Sequence, residues 1–138
     1  MPKRAGWTAY IEGVVRILLD EGFELPGAEL VIDGNVPLGG GLSSSASLEC
    51  AVARAFLDSA GYTVNAGEIA LMCQRAEREF VGVQCGIMDQ YVIAGGAFNH
   101  AMKLDCRSLE SEQVALPEKL CILVTDTGVK HQLAGGEY

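Results

Sequence analysis

Residues 36–47 read Val36-Pro37-Leu38-Gly39-Gly40-Gly41-Leu42-Ser43-Ser44-Ser45-Ala46-Ser47, and a helical pattern follows directly. This punctuation constrains the fold more than anything else in the chain. Three glycines let the backbone take conformations closed to other residues, and Pro37 stiffens the entry. Ser43 or Ser44 suits the cap of a helix running to about residue 59. A turn feeding a helix N-terminus offers unpaired N–H groups and the positive end of the helix dipole. The stretch therefore reads equally as a serine-capped turn or as a phosphate cradle. It is not the common P-loop, which needs a lysine after its last glycine, and none stands here. Nor is it the dinucleotide fingerprint, because position 44 is Ser44 and not glycine.

The pattern around it mixes helices and strands. Apolar residues recur at three- and four-residue steps over residues 7–20, through Tyr10, Ile11, Val14, Val15, Ile17 and Leu18, and Gly22 stops them. The helix after the serines carries Leu48, Ala51, Val52, Ala55 and Phe56 on one face and ends at Gly61. Another is predicted from Asn65 or Ala66 to about Phe80, with Ile69, Met72, Cys73, Ala76 and Phe80 as its stripe. A short one spans about 87–94. Strands are predicted at 28–32, 97–104, 114–116 and 121–125. Strict βαβ alternation is absent, so the predicted class is α+β.

Charge narrows the function. The chain of 138 residues carries 10 basic and 18 acidic side chains, a net −8, which argues against a nucleic-acid surface. Attraction for phosphate would have to come from backbone dipoles or a metal ion. Cys50, Cys73, Cys85, Cys106 and Cys121 are odd in number with no C-x-x-C pair, so reduced and mostly buried thiols are expected. His100 and His131 have no ligand-like spacing. No apolar run has the length of a membrane span, and Met1 to Gly6 lacks a signal-peptide core, so a cytoplasmic protein is expected. The close at Gly135-Gly136-Glu137-Tyr138 has no clear structural stop, a first sign that more chain belongs to the domain.

Two carboxylates draw notice. Helical geometry puts Glu77 beside Cys73 on the rim of the buried stripe, with Glu79 on the opposite rim and Arg75 and Arg78 toward solvent. A rim carboxylate can serve magnesium or simply be solvated. Asp89, in an apolar setting at a helix start, suits either an N-terminal charge or a base taking a proton from a hydroxyl.

Four segments in order resemble the GHMP-type small-molecule kinases in their galactokinase form. They are residues 36–49, Cys85-Gly86-Ile87-Met88-Asp89-Gln90, Leu104-Asp105-Cys106-Arg107-Ser108-Leu109, and residues 131–138. The resemblance runs from about Trp7 to Tyr138. It implies the fold also seen in ribosomal protein S5 domain 2, here incomplete. Residues 1–138 would be part of the N-terminal, ATP-binding domain, with no second domain. It implies ATP and Mg²⁺ as cofactors, galactose as substrate and galactose 1-phosphate as product. Gly39, Gly40, Gly41, Leu42, Ser43, Ser44 and Ser45 would wrap the phosphates, and Trp7 would lie near the adenine. Ser45 and Glu77 would hold Mg²⁺. Asp89 would act as base on the sugar's anomeric hydroxyl, with Gly86 and Tyr138 beside the sugar. Family members begin with a motif near G-R-x-N-L-I-G-E-H-x-D-Y that this sequence lacks, and Lys130 stands where arginine is common. The chain alone is therefore expected to be weak or inactive and to self-associate, and the complete protein to be a monomer. Alternatives are a galactokinase-like sensor that binds ATP and galactose without turnover, and a kinase for a related sugar.

Overall fold

The computed structural model describes residues 6–125 and residue 128. The fold is α+β. Its helices are α1 (Thr8–Asp20), α2 (Ser44–Ser59), α3 (Ala66–Arg75) and α4 (Met88–Gly95); a π-helical turn, Ala76–Val81, prolongs α3. The strands β1 (His100–Leu104) and β2 (Ser111–Ala115) pair antiparallel, with His100 opposite Ala115 and Leu104 opposite Ser111.

The predicted helices form for the expected local reasons. Gly22 and Gly61 take φ of 90° and 78°, and the N–H groups beyond them return to Leu18 and Leu57. Asn65 caps α3 by accepting from Glu68 N–H at 2.9 Å. The core lies between the helices: Val14, Ile17 and Leu18 of α1 meet Val52, Ala53, Phe56 and Leu57 of α2 and Ile69, Met72 and Cys73 of α3. α1 lies against both α2 and the π turn, while α3 and α4 pack on each other and on α2. Gly13 allows the close approach of α1, since a Cβ there would sit 3.0 Å from Phe80 Cβ.

Several expectations change. Ser43 occupies the N-cap position of α2 but is left-handed (φ 56°), and its hydroxyl makes no capping bond. Ala51 and Ala55 face solvent, and the buried stripe of α2 instead runs through Ala46, Glu49, Cys50, Ala53 and Leu57. Val52 and Phe56 are buried and Leu48 packs against the core as expected, and only the two alanines, which fit any helix face, were misplaced. The third helix does not stay α-helical to Phe80. From Ala76 it widens, with Gly82 N–H reaching Glu77 O at 2.9 Å, a five-residue step. Arg75 is not simply solvated: it pairs with Glu21 and with Glu79.

The predicted strands at 28–32 and 121–125 form no ladder among the described residues. Both are exposed, with Val31 at 100% and Leu123 at 86%. A strand's N–H and C=O groups need a neighbouring strand, and the described residues provide none for these two. Cys50 and Cys73 are buried and Cys85 half-buried, but Cys106 and Cys121 are exposed, against the expectation of mostly buried thiols.

Candidate functional site

The glycine-serine loop is exposed and its backbone alternates in handedness. Gly39, Gly41 and Ser43 have φ of 71°, 69° and 56°, while Gly40 and Leu42 between them do not have positive φ. Alternation of this kind turns successive N–H groups toward one side, a concavity suited to anions. Leu38 and Gly39 form a hydrogen-bonded turn, and no backbone hydrogen bond outside the helix engages the N–H groups of residues 41–46 among the described residues. A Cβ on Gly39 or Gly41 would meet open space, so the left-handed conformation, not crowding, is what requires glycine there.

Behind the loop lies a buried polar cluster. Glu49 sits one turn beyond Ser45 on α2 and is 0% exposed; Glu77 in the π turn is 2% exposed and Gln90 on α4 is 1% exposed. Gln90 Nε2 donates to Glu77 Oε2 at 2.6 Å and to Glu49 Oε2 at 3.1 Å. It also lies 3.9 Å from Cys85 Sγ. Glu77 is thus not a rim residue: it is buried and bonded to Gln90 of α4, which the stripe of α3 alone does not reveal.

Burial sets the electrostatics. Loss of water and the neighbouring Glu77 charge push Glu49 up to about 9, against a weaker opposing bond from Gln90, so Glu49 holds its proton at neutral pH. Glu77 is raised chiefly by burial. The Cys85 thiol, the Ser45 hydroxyl and the Gln90 amide pull it back toward the ionised form, and the charge of Asp89 raises it further. Cys85 is pushed up to about 12 by burial and by Glu77. Tyr10 is raised by burial and then by Glu77 and Glu49. Glu49 Oε1 and Gln90 Oε1 are buried with no hydrogen-bond partner.

The Ser45 hydroxyl and the Asp89 charge both act on the Glu77 carboxyl, in opposite directions. Asp89 is in the first turn of α4, half-buried and adjacent in sequence to the buried Gln90. Gly86 lines a cleft of about 510 Å³ together with Cys85 and Ile87, faced by Arg78 and Arg107. Trp7 stands at the start of α1 and is 61% exposed. Tyr138, Lys130 and His131 lie outside the described residues.

Hard oxygen donors such as the Ser45 hydroxyl and the Glu77 carboxylate suit Mg²⁺, which takes one or two protein groups and completes its shell with water and phosphate oxygens. The described residues gather no set of three His, Cys, Asp or Glu that could hold a metal ion. Glu49 and Gln90 were missed as members of the site. Their signal was present: a glutamate one turn after Ser45 and a glutamine beside Asp89, each interrupting an apolar surface.

Comparison with known proteins gives the site its family. Residues 9–97 match the GHMP kinases N terminal domain. The galactokinase of Chloroflexus aurantiacus is 47% identical over 136 residues, 99% of this chain and 35% of that protein. The galactokinase of Chloroflexus aggregans is 47% identical over 132 residues, 96% of this chain and 34% of that protein. The crystal structure of Lactococcus lactis galactokinase complexed with galactose superposes with a TM-score of 0.77 at 37% identity, covering 83% of this chain and 30% of that one. The chain spans about a third of the length of these relatives. By the match over most of its helical core, the chain belongs to the GHMP kinase family, in the N-terminal domain of that family.

Proposed function

We propose that the protein is a galactokinase, transferring the γ-phosphoryl group of ATP to the anomeric hydroxyl of galactose and giving ADP and galactose 1-phosphate. Residues 1–138 supply part of its ATP-binding domain. The observation that carries this reading is a buried Glu77 carboxyl on which both the Ser45 hydroxyl and the Asp89 charge act, behind a glycine loop of alternating handedness that feeds a helix N-terminus.

Each residue then has a physical task. The N–H groups from Gly39 through Gly40, Gly41, Leu42, Ser43, Ser44 and Ser45 receive phosphate oxygens, which lets a chain of net charge −8 hold a polyanion. Trp7 lies toward the adenine. Ser45 and Glu77 hold Mg²⁺, whose charge, when it is bound, offsets that on the β- and γ-phosphates. Asp89 accepts the proton of the sugar hydroxyl as its oxygen bonds to the γ-phosphorus and the bond to the ADP oxygen breaks. Gly86, with no side chain, lets the sugar approach the backbone at the cleft, and Tyr138 is proposed as a further sugar contact.

The test is ADP release by the full-length protein with ATP, Mg²⁺ and galactose. Galactose-dependent turnover that collapses in Asp89→Asn is expected. Binding of both ligands without ADP release would instead make the protein a sensor. Turnover only with another sugar, N-acetylgalactosamine for example, would keep the kinase and change its substrate.

A further inference from the structure

The polar cluster behind Ser45 contains a residue that no role above explains. Gln90 is buried among α2, the π turn and α4. Its one amide nitrogen has two hydrogens, and both are used: one toward Glu77 at 2.6 Å, the other toward Glu49 at 3.1 Å. Both acceptors come from other elements, 13 and 41 residues away in sequence. Its backbone carbonyl is also held, accepting from Cys50 Sγ at 3.7 Å. The residue is thus fixed at both ends, and the Glu77 carboxylate is fixed by it.

A purely structural network of buried polar groups closes its hydrogen bonds. This one does not, since Glu49 Oε1 and Gln90 Oε1 are left without partners. An apolar side chain in place of Gln90 would leave Glu77 Oε2 and Glu49 Oε2 without the donor they now share. The expense of burying these groups is explained if their product is orientation and not stability.

We propose that Gln90 is a positioning residue for the metal site: its amide holds one oxygen of Glu77 so that the carboxylate is presented toward Ser45. Gln90 is also the residue after Asp89 on α4. Successive helical residues point about 100° apart, so one turn of α4 directs Asp89 outward and Gln90 inward. The same turn therefore sets the base and, through the amide, the metal ligand. A shift of α4 moves both together. This inference rests on the reading of Glu77 as a Mg²⁺ ligand.

The experiment measures Mn²⁺ affinity by electron paramagnetic resonance, in the full-length protein saturated with a β,γ-imido ATP analogue. Wild type is compared with Gln90→Met, Glu77→Gln and the double variant. Gln90→Met keeps the volume and removes both donors. Groups that orient a metal ligand typically contribute about 10–100-fold to metal affinity, so a loss of at least about tenfold is expected. Analogue affinity without metal should not change, and the double variant should be no weaker than Glu77→Gln alone, because Gln90 acts through Glu77. Wild-type Mn²⁺ affinity in Gln90→Met, with Glu77→Gln weakened, would overturn the role of Gln90 and leave the metal site standing. Unchanged affinity in Glu77→Gln would overturn the metal site itself. A second measurement needs no variant of uncertain folding. In protein labelled with ¹⁵N-glutamine, the Gln90 side-chain amide should shift on Mg²⁺ addition to the analogue complex, with the midpoint of metal binding. An amide that stays still while Mg²⁺ saturates would overturn the proposal.

Discussion

The exposed loop of residues 36–43 and the buried cluster of Glu49, Glu77 and Gln90 are neighbours built on opposite principles. The loop is backbone chemistry: a Cβ on Gly39 or Gly41 would meet open space, and the backbone alternates in handedness through Gly39, Gly41 and Ser43. The cluster is side-chain chemistry, donated by three separate elements and closed to water. A backbone cradle needs only local sequence to form. The cluster exists only if helices far apart in sequence pack correctly. Mutations should therefore act on the loop through conformational strain and on the cluster through charge, hydrogen bonding and metal affinity.

The largest effect is expected at Asp89, next to Gln90 of the cluster on α4. Replacing it with asparagine should lower kcat by about 10²–10⁴-fold, the usual contribution of a general base, with ATP affinity little changed. Steady-state kinetics of the full-length variant, with galactose as acceptor, decide this. Near-normal kcat would remove Asp89 from the reaction.

The cluster should also write itself into the pH dependence of stability. Below about pH 4.5, folded and unfolded chains both keep the Glu49 proton, and its burial carries no penalty from this source. Between about 4.5 and 9 the unfolded chain has released that proton and the folded chain has not, so stability falls as pH rises and the loss is complete past about 9. The slope from this group cannot exceed about 1.4 kcal/mol per pH unit. Glu77, also raised, acts in the same direction. Denaturant melts at a series of pH values should show the decline, and Glu49→Gln should flatten it. An equally steep decline in Glu49→Gln would mean that other groups cause it.

Removing a magnesium donor comes next. Ser45→Ala and Glu77→Gln should each raise the Mg²⁺ concentration for half-maximal rate by about tenfold or more. Titrating Mg²⁺ at fixed ATP measures this, and an unchanged midpoint in both would separate the cluster from metal binding.

The smallest effect belongs to the loop. Gly41→Ala places a side chain at a φ of 69° with no atom near it, so only backbone strain applies. That strain is about 1–2 kcal/mol for a residue in the left-handed region. It should appear as a raised KM for ATP, with the melting temperature hardly moved, because an exposed loop can relax without unfolding the helices. A clear fall in melting temperature at unchanged KM would reverse the contrast between loop and cluster.

The two regions also differ in how far they were legible. Gly39, Gly40 and Gly41 announce a turn by residue type alone, and the helix after them follows from periodicity. Glu77 was singled out but set on the rim of its helix, because an ideal helix cannot foresee the widened turn at Ala76–Val81. Glu49 and Gln90 were within recognised segments yet received no role, since glutamate and glutamine on a helix are usually solvated. The strands expected at 28–32 and 121–125 have the right composition, but a strand is a pairing and not a property of five residues.

By itself the sequence determined that helices lie near 7–20, 44–59, from 65 or 66 onward and near 87–94, with glycine stops at Gly22 and Gly61, together with the glycine-serine loop and the family likeness. These depend on neighbours three or four residues away, which periodicity records. Only the tertiary structure decided that Glu49 is sealed and protonated, that Glu77 is buried beside Ser45, and that Gln90 joins them. Those outcomes depend on water being excluded by helices 13 and 41 residues apart in the chain. A side chain's solvent and partners are properties of packing, and no local pattern encodes them.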